Sequence, residues 1–221
     1  TQVGSNPSVG INGSTNAIQD VDLLPRPDAY EFEWCVTNGL CEICDTVEID
    51  INLQPVAPVS VEGNQNICIS SAPATLTVTS GVGTSVEWFS DAGLTTSVGN
   101  GLTYTTSISG AYYAVATNTT TGCESNPTPV SLTIDSLPAS VSAGPNQVEC
   151  SPVATPILIT LEATGTGGTG VWTQIGSNPL VGLTGSTNAN QEVDLLPRAD
   201  AYEFEWCVPN GTCKVCDTVE V

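Results

Sequence analysis

The sequence predicts an all-β protein made of small antiparallel β-sandwiches in tandem, and three observations lead to this prediction. Thr and Val, whose branched Cβ atoms suit a pleated sheet, occur 29 and 24 times. The 21 Gly and 15 Pro residues supply many turns between short strands. Several segments alternate between apolar and polar residues, and none has a convincing helical period. With 40% hydrophobic residues, the chain can fill packed cores, and we expect an extracellular protein.

The clearest strand prediction covers residues 201–208. Its aromatic residues and Val208 fall on one face, whereas two Glu residues and Cys207 fall on the other (Tyr202, Phe204, Trp206; Glu203, Glu205). Asn210-Gly211 then predicts a hairpin turn into a last strand that begins at Cys213. Residues 75–79, 85–89 and 111–116 are also strand-length and bounded by turns.

The charge balance excludes several classes of function. The chain has 23 acidic residues, three basic ones and no His, for a formal net charge of −20. A nucleic-acid-binding protein needs a basic surface, and an anionic membrane would repel this chain, so we expect neither partner. Without His there is no Ser-His or Cys-His nucleophile. No apolar run approaches the roughly 18 residues of a membrane span, so we expect no membrane insertion.

An internal repeat defines the domain organisation. Residues 1–49 align without a gap to residues 173–221, with 37 identities in 49 positions and an offset of 172. Residues 50–221 therefore form one repeat unit, and we expect it to belong to a longer array. Pro-containing boundaries divide the unit into module B (50–135) and module A (136–221). Residues 1–49 are the C-terminal part of another module A, which we call the first copy.

Side-chain parity predicts two disulfides in module A. In the last strand Cys213 falls on the core face and Cys216 on the outer face, and Cys207 faces outwards in its own strand. We therefore predict the pairs Cys207–Cys216 and Cys150–Cys213. The alternative is a four-Cys zinc site, because Cys213-x-x-Cys216 has ligand spacing, but the spacing of the other two cysteines does not fit it. A thioredoxin-like redox pair would need a βαβ context that the sequence lacks.

The remaining five cysteines follow from repetition and elimination. The repeat predicts Cys35–Cys44 in the first copy, and Cys41 is left to pair with a cysteine upstream. Module B contains only two cysteines, which predicts Cys68–Cys123. Such cross-links stabilise small domains by several kcal/mol, about 3 for short loops and about 4 for loops near 60 residues.

Acidic residues cluster in both copies of module A, which makes calcium the one cofactor we consider. The candidates are Asp20 and Asp22 in the first copy and Asp194 and Asp200 in the second. Calcium binds oxygen ligands, yet no known calcium-loop pattern is present, so the alternative is a solvated acidic face. Paired carboxylates could hydrolyse glycosides, but these lack an aromatic-lined cleft. We therefore predict no catalytic residues and no enzyme activity.

Both modules resemble known repeat families. Module B resembles the Ig-like module of giant surface proteins in Bacteroidota, and module A is similar to the related PKD-like module. The matching segments are residues 66–68, 74–78, 86–89, 110–114 and 121–123 in module B, and 143–150, 170–172, 202–208, 210–213 and 217–219 in module A. The resemblance implies tandem Ig-like sandwiches, with Trp88 and Trp172 in the cores and Tyr113 and Tyr202 as tyrosine corners.

The resemblance also implies a function. Such arrays are typical of type IX-secreted adhesins, including gliding-motility adhesins of the SprB type. We therefore expect a non-catalytic stalk segment of a bacterial cell-surface adhesin. Its partners would be neighbouring repeats, secretion or motility machinery in the outer membrane, and the substratum or a polysaccharide. Asp-Ser/Thr-apolar motifs of this group imply O-glycosylation at Thr46, Ser136 and Thr218.

Two other functions compete with the stalk. Carbohydrate-binding accessory modules of a secreted enzyme would expose coplanar aromatic residues, whereas most Trp and Tyr residues here fall on core parity. A subunit of an extracellular filament would present unpaired edge strands or complementary faces, which sequence alone does not reveal.

Overall fold

The regular secondary structure of the described residues is almost entirely β-strand. The computed structural model describes all residues except 5, 12, 27, 151–154 and 199. The described residues form eighteen strands and one short 3-10 turn, Ile69–Ser71, and contain no α-helix. The predicted all-β class of disulfide-containing antiparallel sandwiches is therefore confirmed.

The first copy is a three-stranded antiparallel sheet in the order β1-β2-β3. Its strands are β1 (Gln2–Val3), β2 (Tyr30–Asn38) and β3 (Cys41–Ile49). Strands β2 and β3 form a nine-residue hairpin that places Cys35 opposite Cys44.

Module B is a two-sheet sandwich. One sheet has the order β4-β6-β9 and the other the order β5-β11-β10-β7-β8. Strand β5 pairs in parallel with β11, whereas the other pairs are antiparallel. The bounds are β4 (Val59–Ser60), β5 (Gln65–Cys68), β6 (Ala74–Thr79), β7 (Thr84–Phe89), β8 (Ser97–Asn100), β9 (Thr103–Thr106), β10 (Gly110–Asn118) and β11 (Thr128–Asp135).

Apolar side chains from both sheets fill the core of module B. Leu76, Trp88 and Ala114 are completely buried, and Trp88 donates a hydrogen bond from Nε1 to the Gly101 carbonyl at 3.0 Å. Tyr112 is buried and its hydroxyl donates to the Ile108 carbonyl at 2.8 Å. The tyrosine-corner geometry in module B thus belongs to Tyr112 and not to the predicted Tyr113, which is half-buried. Adjacent residues of a strand face opposite sides, so only one of the two can occupy this position.

Module A is built from three small sheets. These have the orders β15-β17-β18, β13-β16 and β12-β14. The bounds are β12 (Ala139–Ser142), β13 (Ile157–Glu162), β14 (Thr164–Thr166), β15 (Val171–Ile175), β16 (Asn190–Leu195), β17 (Glu203–Asn210) and β18 (Cys213–Glu220).

The core of module A follows the alternation of β17. Phe204, Trp206 and Val208 are buried, as their parity predicts, and Trp206 lies opposite Trp172 in the register of β15 and β17. The two indole rings are 5.2 Å apart and tilted by 52°, a favourable aromatic arrangement. Tyr202 is also buried at the end of this row.

The same hairpin has a different environment in the first copy. Trp34 is 42% exposed, whereas Trp206 at the equivalent position is 3% exposed. Strands β12, β13 and β14 have no counterpart among residues 1–49, because this copy aligns with residues 173–221. The apolar face of the first hairpin is therefore uncovered towards its tip, at Trp34 and Val36, whereas Tyr30 and Phe32 at its base are buried.

Candidate functional site

The junction between module B and module A is held by a disulfide and several hydrogen bonds. Only residues 136–138 separate β11 from β12. A disulfide joins Cys68, the last residue of β5, to Cys213, the first residue of β18, across a sequence separation of 145. Cys213 is almost completely buried, and its Sγ lies 3.1 Å from the carbonyl oxygen of Asp135. The two modules are thus covalently joined twice, by the chain and by this bond.

The carboxylate of Asp135 anchors the tip of the β17–β18 hairpin. Thr212 donates to Asp135 Oδ2 from its backbone N–H at 2.6 Å and from its hydroxyl at 2.9 Å. These hydrogen bonds favour the charged form, so they hold the pKa of Asp135 below its ordinary value against the smaller opposing effect of desolvation.

The hairpin turn is shaped to approach module B closely. Gly211 has a φ of +59°, and a Cβ atom at this position would overlap the carboxylate of Asp135. Glycine therefore serves both the left-handed conformation and the close contact. Asn210 adds hydrogen bonds from Nδ2 to the carbonyl and hydroxyl oxygens of Ser136, at 2.9 and 3.1 Å.

The structure contains both disulfides that were predicted between the two strands of a hairpin. Cys35 is bonded to Cys44, and Cys207 is bonded to Cys216. In each case the two residues are directly opposite in the register of an antiparallel pair. The outer-face parity that selected these pairs is a local property of a two-residue repeat, so it carries over from sequence to structure.

The predicted pair Cys68–Cys123 is wrong in this structure. Cys68 is aligned with Asp135 at the end of β11, whereas Cys123 follows β10 and lies beside Asn118, before β11 begins. The two cysteines are therefore at opposite ends of the strand β11, which is eight residues long. At about 3.3 Å per residue, that separation is far beyond the reach of a disulfide.

The predicted pair Cys150–Cys213 is also absent, because Cys213 is bonded to Cys68. Cys150 is an exposed free thiol, as is Cys41, and Cys123 is a half-buried one. Parity correctly placed Cys213 on a core face. It could not show that this face, at the hairpin tip, meets the neighbouring module. The signal available in the sequence was that the turn before Cys213 and the module boundary at Asp135 both lie at module ends.

The candidate calcium ligands do not converge within the described part of the chain. Asp20, Asp22, Asp194 and Asp200 are all exposed. Among the described residues, the close groups of three ligand-type side chains are Glu33 with Cys35 and Cys44, and the equivalent set in module A. Their cysteines are engaged in disulfides, which removes the thiolates that a metal would need. Calcium binding stays a prediction.

The three candidate glycosylation residues are accessible. Thr46, Ser136 and Thr218 are exposed. Ser136 differs from the other two, since its hydroxyl accepts a hydrogen bond from Asn210 at the module junction. A sugar on this oxygen would change the contact between the modules.

An open groove of about 400 Å³ lies at the opposite end of module A from the junction. Ile157, Leu195, Tyr202 and Val221 contribute to its wall. In the first copy the chain continues past the corresponding strand end, and the carbonyl of Ile51 there accepts a hydrogen bond from the backbone N–H of Arg26.

Among the described residues, a search for membrane-spanning helices finds no candidate.

Comparison with solved structures returns multi-domain immunoglobulin chains at low identity. A three-domain structure of titin shares 14% identity, covering 89% of this chain and 75% of the titin chain, with a TM-score of 0.39. Drosophila OTK extracellular domains 3–5 share 16%, covering 89% and 72%, with a TM-score of 0.42. Sidekick-1 immunoglobulin domains 1–5 share 20% identity, with a TM-score of 0.38. That match covers 87% of this chain but only 46% of the Sidekick-1 chain.

No curated protein matches the sequence. A family model does match one module. Residues 55–135, which coincide with module B, match the Ig-like domain family described as CHU_C associated.

Proposed function

We propose that this chain is a non-catalytic repeat segment of an extended extracellular stalk. The stalk would belong to a large bacterial cell-surface adhesin that acts in surface attachment and gliding. The observation that carries the proposal is the architecture itself, in which an Ig-like module is joined to the next module by a short connection and a disulfide. A stalk needs mechanical continuity between modules, and both features supply it.

Two further properties support an extracellular stalk. Three disulfides are typical of proteins that fold in an oxidising compartment. The net charge of −20 makes neighbouring segments repel one another, which favours a soluble and extended array. In this proposal, one end of the array is held by outer-membrane secretion or motility machinery, and the other reaches the substratum or a polysaccharide.

The carbohydrate-binding alternative has less support. Sugar platforms need exposed aromatic faces, whereas Trp88, Trp172 and Trp206 are buried in module cores. Trp34 is partly exposed, but its equivalent Trp206 is covered in the complete module. The described residues therefore do not present a repeated aromatic surface.

Live-cell imaging tests the stalk proposal. A fluorescent antibody fragment against residues 50–221 is applied to the native host moving over glass, and a fragment against a static outer-membrane protein serves as the control. We expect label on the cell surface that travels along the cell. Static surface label would restrict the function to attachment. Label found only in the medium would contradict the proposal.

Glycosylation and calcium binding are part of the same proposal and are tested separately. Hexose mass on peptides containing Thr46, Ser136 or Thr218, in protein from the native host, would support O-glycosylation. Its absence from all three would refute it. A melting temperature that rises with calcium and falls with a chelator would support binding near Asp194 and Asp200. An unchanged melting temperature would refute it.

A further inference from the structure

The disulfide between the modules changes the path by which tension passes through the chain. Cys68 and Cys213 are 145 residues apart in sequence and directly bonded. A pull applied before Cys68 and after Cys213 follows the shortest covalent route, which is the sulfur–sulfur bond. We propose that this bond is a force shunt that carries load past the cores of both sandwiches. This property rests on the connectivity of the modules and not on what the array adheres to.

The ends of the closed loop lie where a shunt requires them. Cys68 ends the second strand of module B, and Cys213 begins the last strand of module A. All buried residues of the module B core lie between these two positions, and so do those of module A except Val219. Within the two modules, tension therefore acts directly on β4, β5 and β18, which lie outside the closed loop, and not on the other strands that build the cores.

The surroundings of the bond favour load transfer. Cys68 is aligned with Asp135, and Asp135 is the residue that accepts both hydrogen bonds from Thr212. On the other side, β18 pairs with β17 over eight residue positions and is also bonded to it through Cys216. The load thus enters a strand that is held along its whole length.

The first copy indicates that the shunt is a repeated device. Cys41 is the sequence equivalent of Cys213, and it is exposed without a disulfide partner. In an array, the partner of Cys41 under this proposal is the residue equivalent to Cys68 in the preceding module B. The load-bearing segment of each repeat would then run from Cys41 to Cys68, with most of the 172-residue unit outside the path.

The effect on extension is large. A chain spans at most about 3.6 Å per residue when fully stretched, so a loop of 145 residues hides about 500 Å of contour length. With the bond intact, pulling the ends apart does not release this length. Without the bond, both modules unravel and release it.

A peptide map first establishes the pairing in the oxidised full-length protein. Cleavage before Asp residues separates the cysteines of the junction, because Cys68 falls in peptide 50–90, Cys123 in 91–134, Cys150 in 135–193 and Cys213 in 200–216. We expect peptide 50–90 to be linked to peptide 200–216. A link between 50–90 and 91–134 would overturn the proposal.

Single-molecule pulling then tests the shunt itself. The full chain is held by handles at Thr1 and Val221, and the wild type is compared with a Cys68→Ser/Cys213→Ser variant. We expect the wild type to reach a total length about 500 Å shorter than the variant. A Cys207→Ser/Cys216→Ser variant is the matched control, and it should stay short because its bond lies outside the shunt. Equal lengths for the wild type and the first variant would refute the proposal.

Discussion

Removing the disulfide Cys68–Cys213 between the modules should destabilise module A more than removing the hairpin disulfide Cys207–Cys216. If the whole unit unfolds, Cys68–Cys213 closes a loop of 145 residues, for which chain entropy predicts a stabilisation of about 5 kcal/mol. If module A unfolds alone, the loop runs from Asp135 to Cys213, a separation of 78, and the figure is about 4.5 kcal/mol. Cys207–Cys216 closes a separation of nine, which gives about 2.6 kcal/mol.

The comparison uses two double variants, Cys68→Ser/Cys213→Ser and Cys207→Ser/Cys216→Ser. Native-state hydrogen exchange with peptide-level mass spectrometry reads the opening free energy of module A from β15 and β17, separately from module B. We expect the first variant to lower this free energy by about 2 kcal/mol more than the second. Protection of β6 in module B serves as the internal control.

The result that would refute this reasoning is specific. If the Cys68→Ser/Cys213→Ser variant costs module A no more than the hairpin variant, the long loop is not closed in the native protein. A loss of protection at β6 in the Cys68→Ser/Cys213→Ser variant alone would show that the substitution of Cys68 also affects module B. A Cys68→Ala/Cys213→Ala pair, which lacks the same cross-link, would then separate the effect of the polar serine side chains from that of the missing bond.

Three further predictions concern the same junction. Gly211→Ala should abolish amide protection of Thr212, because the new Cβ overlaps Asp135. The control is Gly39→Ala in the first copy, where φ is similar at +65° but the surrounding space is open, so that only the turn strain of about 1–2 kcal/mol is expected. Equal effects of the two substitutions would contradict the docking of the hairpin tip. Hydrogen bonds from Thr212 lower the pKa of Asp135 below 3.8 in the folded protein. The stability that the charged carboxylate contributes should therefore be fully present above pH 3.8 and be lost as the pH falls through the lower folded-state pKa. The Thr212 amide shift should therefore titrate below pH 3.8, and a midpoint above pH 4 would refute this. Thiol titration in denaturant without reductant should find three thiols per chain, Cys41, Cys123 and Cys150, whereas the pairs predicted from parity and elimination would leave one.

The features that sequence predicted well depend on neighbouring residues. The alternation of β17 predicts the burial of Phe204, Trp206 and Val208, because each step along a strand reverses the face, although Cys207 on the other face is buried as well. The Asn-Gly turn sets the register of the hairpin, and the register places Cys207 opposite Cys216. Each of these inferences needs only the local period of a strand and the chemistry of one turn.

The features that sequence missed depend on topology. Pairing Cys68 with Cys123 assumed that two cysteines of one module must meet, but parallel pairing of β5 with β11 carries Cys68 to the far end of the sandwich. Parity states which face a residue occupies and does not state which end of the module that face meets. The bond to Cys213 follows only when the end of β11 and the tip of the next hairpin are placed side by side.

The two copies of the hairpin separate local from tertiary causes. Both pair the same positions, Trp34 with Asp45 and Trp206 with Asp217, although only the second copy has a complete core around it. Strand pairing is therefore the same in the two environments, whereas exposure of the equivalent Trp differs from 42% to 3%. The remaining difference is the hairpin tip, where Leu40 is fully exposed and Thr212 is bonded to Asp135. What the complete module adds to a hairpin of nearly the same sequence is thus cover over the Trp and a tip docked on the preceding module, and the second of these joins the two modules mechanically.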